Sequence, residues 1–164
     1  MGAVRPGHVE RILGATAEAA PPRRGHGAGR EDLACLARAV YHEARGEGDA
    51  GMRAVAEVVL NRVESEAFPG SICGVVYQGV GNPAGCQFSF ACDGSEAARL
   101  EPQAWKQAEA IAQQMANGAP RPLTDGATHF HTLAVRPNWS RVYAMTAEIG
   151  AHRFYRRPVE LASN

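Results

Sequence analysis

The chain has 164 residues, with 17 basic and 17 acidic side chains and a hydrophobic fraction of 45%. That length supports one ordinary domain with a real core rather than two enzyme domains side by side. Zero formal net charge excludes a general polyanion binder working by counterion release, so nucleic acid is not an expected partner. No apolar run approaches the roughly 18 residues of a membrane span, so no membrane insertion is expected.

Residues 1–30 carry five arginines against two glutamates, with Pro6, Pro21, Pro22 and several glycines. They read as a flexible basic arm with a short helical possibility over 8–20, suited to docking on a partner. The start lacks the continuous apolar stretch of a secretory signal. Any route out of the cytoplasm would then use another signal or a leader outside the chain.

From Leu33, the residues Leu36, Ala37, Val40 and Ala44 fall on one face at helical spacing and predict an amphipathic helix ending near Gly46. Glu43 lies at the margin of that stripe, beside Leu36, where desolvation raises a carboxyl pKa. Glu47 falls in line if the helix continues that far. Asp49 is placed to cap a second helix with the stripe Met52, Val55, Ala56, Val59 and Val63, ending before Phe68-Pro69-Gly70.

Residues 72–94 read as a glycine-rich loop with a small hairpin or short helix, where a groove can form. A third helix opens at Pro102, runs through Trp105, Ala108, Ala112 and Met115, and stops at Asn117-Gly118. Residues 127–132 alternate with period two, and 149–155 read as a partner strand. The expected class is α+β, mainly helical, in a domain spanning 31–158 with a tail at 159–164.

Residues 36–47 read LARAVYHEARGE, followed by Gly51 and by AVAEVVLNR over 54–62. With Pro69, CGVVYQ at 73–78, CQFSFACDG at 86–94, ATHFH at 127–131, Trp139 and IGAHRFY at 149–155, these motifs closely resemble the cell-wall hydrolase family of the spore-cortex-lytic enzymes, the SleB/CwlJ type. The resemblance covers about 32–155, and the form with Cys86 and Cys92 is similar to members from Gram-negative bacteria. It implies a lysozyme-like, lytic-transglycosylase-like fold acting on peptidoglycan glycan strands, with Glu43 as the catalytic acid and no cofactor or metal. Action would then be in the periplasm or cell wall, reached by holin release, by carriage in a phage-like particle, or as a periplasmic enzyme whose leader lies outside the chain.

The residues support Glu43 on their own terms, since a glycosidic oxygen leaves poorly unless protonated and a carboxyl held partly out of water keeps its proton near neutral pH. The plainer alternative is a pairing of Glu43 with an arginine such as Arg62. Glu47, four residues on in one helix, would project parallel to Glu43, a poor arrangement for flanking a sugar from opposite faces. A supporting catalytic role fits it better: raising the Glu43 pKa by like charge, orienting Arg45 or ending the helix, against a plain solvated side chain. With no second carboxylate assigned, the nucleophile would be the 6-hydroxyl of the N-acetylmuramoyl unit, giving a 1,6-anhydro product.

Tyr77, Gln78, Gln87 and Ser89 are candidates for hydrogen bonds to the sugars, and Phe88 or Phe90 for an apolar face. His129 and His131 would share one strand face and contact the glycan or line the cleft. With His152 they also allow a zinc site of an N-acetylmuramoyl-L-alanine amidase, the alternative chemistry. A non-catalytic wall-binding or virion component is the alternative outside enzymes. Cys35, Cys73, Cys86 and Cys92 form an even set that fits either buried thiols or two bridges in an oxidising destination. Of the three connectivities, Cys86–Cys92 with Cys35–Cys73 would hold Gln87 and Ser89 toward the cleft.

Overall fold

The computed structural model describes residues 28–158. Most of the expected arm, the helical possibility at 8–20 and the tail at 159–164 lie outside them, and Arg30 already belongs to the first helix. Helix α1 (Arg30–Ala44) buries Leu36, Ala37, Val40 and Ala44, the stripe read from the sequence. It stops at Ala44 because Arg45 turns extended and Gly46 takes φ +89°, a left-handed conformation natural to glycine. Glu47 therefore does not share a helix with Glu43. It precedes α2 (Gly48–Glu64), and Asp49 is not the cap: it sits in the first turn, accepting a hydrogen bond from Arg53 Nε at 2.7 Å.

Helix α2 is the centre of the domain, buried on two faces. Met52, Val55, Ala56 and Val59 join the core shared with α1, α3 (Ile72–Val76) and α4 (Pro102–Ala116), while Ala54 and Val58 meet Ala127 and Phe154 of the sheet side. The carboxylate of Glu57, fully buried, satisfies the backbone N–H groups of Leu123 (2.9 Å) and Thr124 (2.8 Å) and the Thr124 hydroxyl (2.7 Å). Asn61 Nδ2 donates to Ala127 O at 2.8 Å and Arg62 Nε to Thr128 O at 2.6 Å. These polar side chains of one helix thereby set where the following strand begins.

That strand, β1 (His129–Thr132), pairs antiparallel with β3 (His152–Arg156), which pairs on its other edge with β2 (Ala144–Ile149), giving the order β1-β3-β2. Ile149 thus ends β2, before a tight turn, rather than opening the partner strand. Phe130 and Phe154 are opposite one another and pack inward, with ring centroids 5.7 Å apart. Residues 72–94 contain α3 and a 3-10 turn at Ser89–Ala91, with no hairpin. Cys35 bridges to Cys73 and Cys86 to Cys92, with Cα separations of 5.3 and 6.1 Å; no cysteine among the described residues is free.

Candidate active site

Glu43 lies in the last turn of α1, next to the fully buried Ala44. Half-buried, it makes no hydrogen bond or ion pair with the other described residues. Burial pushes its pKa up to about 7, the negative charge of Asp93 adds to that rise, and the Arg62 guanidinium opposes it. A carboxyl in this state is part protonated at neutral pH and can both give and take a proton.

Asp93 reaches this place by a device that residue spacing alone did not disclose. The ring of Phe90 stacks on His42, the neighbour of Glu43, with centroids 4.6 Å apart and planes at 13°, which seats the Ser89–Ala91 turn on α1. The backbone N–H groups of Cys92 and Asp93 both donate to Ser89 O at 3.0 Å, and the Cys86–Cys92 bridge closes the loop. Asp93 is then held at the protein surface beside the cleft, its own pKa lowered by hydrogen bonding from Ser95.

Arg62 forms the floor. It is 5% exposed, and its guanidinium lies over the rings of Phe68 (4.8 Å) and Phe88 (5.5 Å). With Nε taken by Thr128, the Nη1 atom is buried and unpartnered. Burial lowers the Arg62 pKa to about 10, with Glu43 resisting the fall. The pairing weighed in the sequence is therefore a through-space coupling and not a closed salt bridge. Coupling of that kind leaves the Glu43 carboxyl free to act.

His129 borders Arg62. Its ring contacts Phe68, Trp139 and Tyr143 at 5.9, 5.1 and 5.0 Å, and its Nδ1 meets Thr128 Oγ1 at 3.0 Å. Burial first, then Arg62 and Arg157, hold its pKa down to about 4, so the imidazole is neutral at working pH. His131 shares that face of β1 but is 7% exposed, with Nε2 against Tyr155 OH at 2.9 Å and Nδ1 against Thr132 O at 2.7 Å. Both ring nitrogens are engaged, so His131 braces the sheet rather than meeting a glycan. His152 faces the other side of the sheet, opposite Thr132 and packed on Phe130. The three imidazoles do not converge, which removes the geometric basis of the zinc reading.

Glu47 has a different task from the expected one. Its Oε2 accepts the backbone N–H of Ala151 at 2.9 Å, while Arg45 turns to Tyr41 OH (2.8 Å) and Glu101 (3.4 Å). The like charge acting on Glu43 is Asp93. Phe88, 3% exposed, is core beneath Arg62 and offers no surface to a sugar. Tyr77 OH bonds Glu96 and receives Arg38 at 3.4 Å on the neighbouring wall. Gln87 and Ser89 are exposed on the bridged loop, and Gln78 keeps a buried, unpartnered Oε1. A cavity of about 1300 Å³ lies elsewhere, lined by Leu60, Val63, Ile72 and Met115, and Glu43, Arg62, Asp93 and His129 are not part of its lining.

Residues 46–155 match the family described as Cell Wall Hydrolase. The chain belongs to that family. Cell wall hydrolase relatives include the spore cortex-lytic enzymes of Bacillus subtilis (strain 168), 48% identical over 52 residues, and of Halalkalibacterium halodurans, 49% identical over 47. Those stretches are 32% and 29% of this chain and 17% and 14% of the relatives, so the chain matches less than a fifth of their length.

Two solved structures extend the comparison. The catalytic domain of the Bacillus cereus SleB protein superposes with TM-score 0.64 at 29% identity, covering 84% of this chain and 99% of that one. The catalytic domain of the germination-specific lytic transglycosylase SleB from Bacillus anthracis gives TM-score 0.63 at 30% identity, covering 80% and 98%. The fold is the lysozyme-like, mainly helical α+β fold of these domains. The family match begins at Gly46, so the case for Glu43 rests on its own surroundings.

Proposed function

We propose that this domain cleaves the glycan strand of peptidoglycan between N-acetylmuramic acid and N-acetylglucosamine as a lytic transglycosylase. The observation that carries this reading is the Glu43 carboxyl, desolvated, unpaired and brought to about 7. The protonated carboxyl donates to the departing glycosidic oxygen. As positive charge develops at the anomeric carbon, the muramoyl 6-hydroxyl attacks it, and the Glu43 carboxylate accepts the hydroxyl proton. The anhydro ring closes, no water is added, and Glu43 ends in its starting state. Burial holds that proton most strongly, Asp93 reinforces it and Arg62 opposes it, and together they set the working pH.

Neutral His129 forms the adjoining wall with Thr128, and exposed Gln87 and Ser89 on the bridged loop are placed to meet acetamido and hydroxyl groups. Gln78, whose O accepts the Gln87 N–H at 3.0 Å, and Tyr77 on the neighbouring wall would add further hydrogen bonds to the sugars. The two disulfides suit a cell-wall compartment outside the reducing cytoplasm. No helix among the described residues is long and apolar enough to cross a membrane.

Asp93 supports a second reading. An exposed carboxylate beside an acid is the arrangement by which a hydrolase activates water. Digestion of purified sacculi separates the two: fragments ending in anhydro-muramic acid, lighter by one water, mark the transglycosylase, and ordinary reducing ends mark hydrolysis through Asp93. Intact glycan with released peptides contradicts both.

A further inference from the structure

The connection between β1 and β2 is polarised in a way that the reaction at Glu43 does not use. From Gly126 to Ala147 there is no Asp or Glu, while Arg136 and Arg141 are exposed and form no ion pair or hydrogen bond with the described residues. In the same connection the rings of Trp139 and Tyr143 stack, with centroids 5.6 Å apart and planes at 27°, and both remain partly exposed. Val142 beside them is 70% exposed. This limb is continuous with the cleft, because both rings rest on His129, whose other side meets Phe68 beneath Arg62.

We propose that this limb is a subsite for a peptide-bearing muramoyl unit: the Trp139–Tyr143 edge receives an apolar sugar face, and Arg136 and Arg141 receive carboxylates of the stem peptide. Aromatic rings suit the C–H face of a pyranose, and guanidinium groups suit planar carboxylates. Stem peptides are anionic, matching a segment with two free cations and no acid. The inference rests on the glycan-cleaving reading and deepens it, making the enzyme selective for strands that retain their peptides. Exposed charge pairs are weak individually, so two of them favour peptide-bearing glycan by about 3- to 10-fold.

The chain has two tryptophans. A Glu43→Gln, Trp105→Phe protein therefore reports on Trp139 alone. It is titrated with soluble glycan fragments carrying stem peptides and with the same fragments stripped of them. Peptide-bearing fragments should change Trp139 emission at several-fold lower concentration, and adding Arg136→Gln and Arg141→Gln should erase that preference while stripped fragments still bind.

Equal binding of the two fragments, or binding with no change at Trp139, overturns the proposal. A response to phosphatidylglycerol vesicles in place of fragments also overturns it and makes the limb a membrane-docking surface. Sacculus digestion by the unmodified protein runs in parallel. Cleavage without a Trp139 response removes this subsite and leaves the chemistry, whereas a response without cleavage removes the chemistry and leaves the subsite.

Discussion

The carboxylate of Glu47 accepts the backbone N–H of Ala151 at 2.9 Å, across 104 residues of sequence. It joins the corner between α1 and α2, where Glu43 emerges, to the β2–β3 turn. The approach is tight: a Cβ on Gly150 would stand 2.1 Å from Glu47 Oε2, and Gly150 has φ +56°. Glu47→Ala and Gly150→Ala should therefore each destabilise the domain, Glu47→Ala by about 0.5–1.5 kcal/mol for the lost hydrogen bond. Both break the same tie, so the double variant should lose less than the sum of the singles in denaturant unfolding. Strict additivity would show that Glu47 acts elsewhere.

The alkaline limb of the pH–activity profile should report Glu43. Cleavage needs the protonated carboxyl first, so kcat/KM should fall as pH rises through about 7. Asp93→Asn keeps an oxygen for the Ser95 N–H but removes the negative charge, so the limb should move to lower pH. Glu47→Gln should leave it in place. A profile unmoved by Asp93→Asn would separate that carboxylate from the acid.

Much of this architecture was legible in the sequence because the helical stripes obey one period and bury as predicted, with Val63 and Trp105 of them only partly covered. The failures have local causes. Glu47 was placed on the first helix because the spacing from Glu43 is helical, yet left-handed Gly46 breaks the chain between them. Strand β2, AMTAEI, alternates weakly and is largely half-exposed or exposed, so no hydrophobic pattern announced it. Asp93 needed a loop to return from α3 and be closed by a disulfide before it could act on Glu43. No period encodes that return.

Glu57 was missed for another reason: a glutamate inside an apolar stripe reads as the wet side of a helix, and here both sides are dry. Glu57→Gln replaces one acceptor oxygen by an amide that faces N–H donors. Each buried donor left unmet costs roughly 1–3 kcal/mol. Thermal melting should show a large loss of stability, and a melting temperature within error of the unmodified protein would contradict the network described for Leu123 and Thr124.

Stability of the Glu43→Gln protein should depend on pH in a defined sense. Folding raises the Glu43 pKa from 4.5 to about 7, so the folded state holds this proton more tightly than the unfolded one. The group imposes no penalty below about 4.5 and its full penalty above about 7, with stability falling between those limits. Glutamine removes the penalty. The variant should gain up to roughly 3 kcal/mol relative to the unmodified protein at pH 8 and little at pH 4. Equal effects at both pH values would mean that Glu43 is not desolvated.

The most direct measurement is muropeptide release from purified sacculi by Glu43→Gln, made on protein whose melting curve shows an intact fold. Glutamine keeps the shape of the side chain, so Leu36, Val40 and Ala44 stay packed, but it has no proton to give a leaving oxygen. Release should fall at least about 10²-fold, the lower range for loss of general acid–base catalysis. Near-native release from a normally folded Glu43→Gln protein would contradict the assignment of Glu43 as the acid.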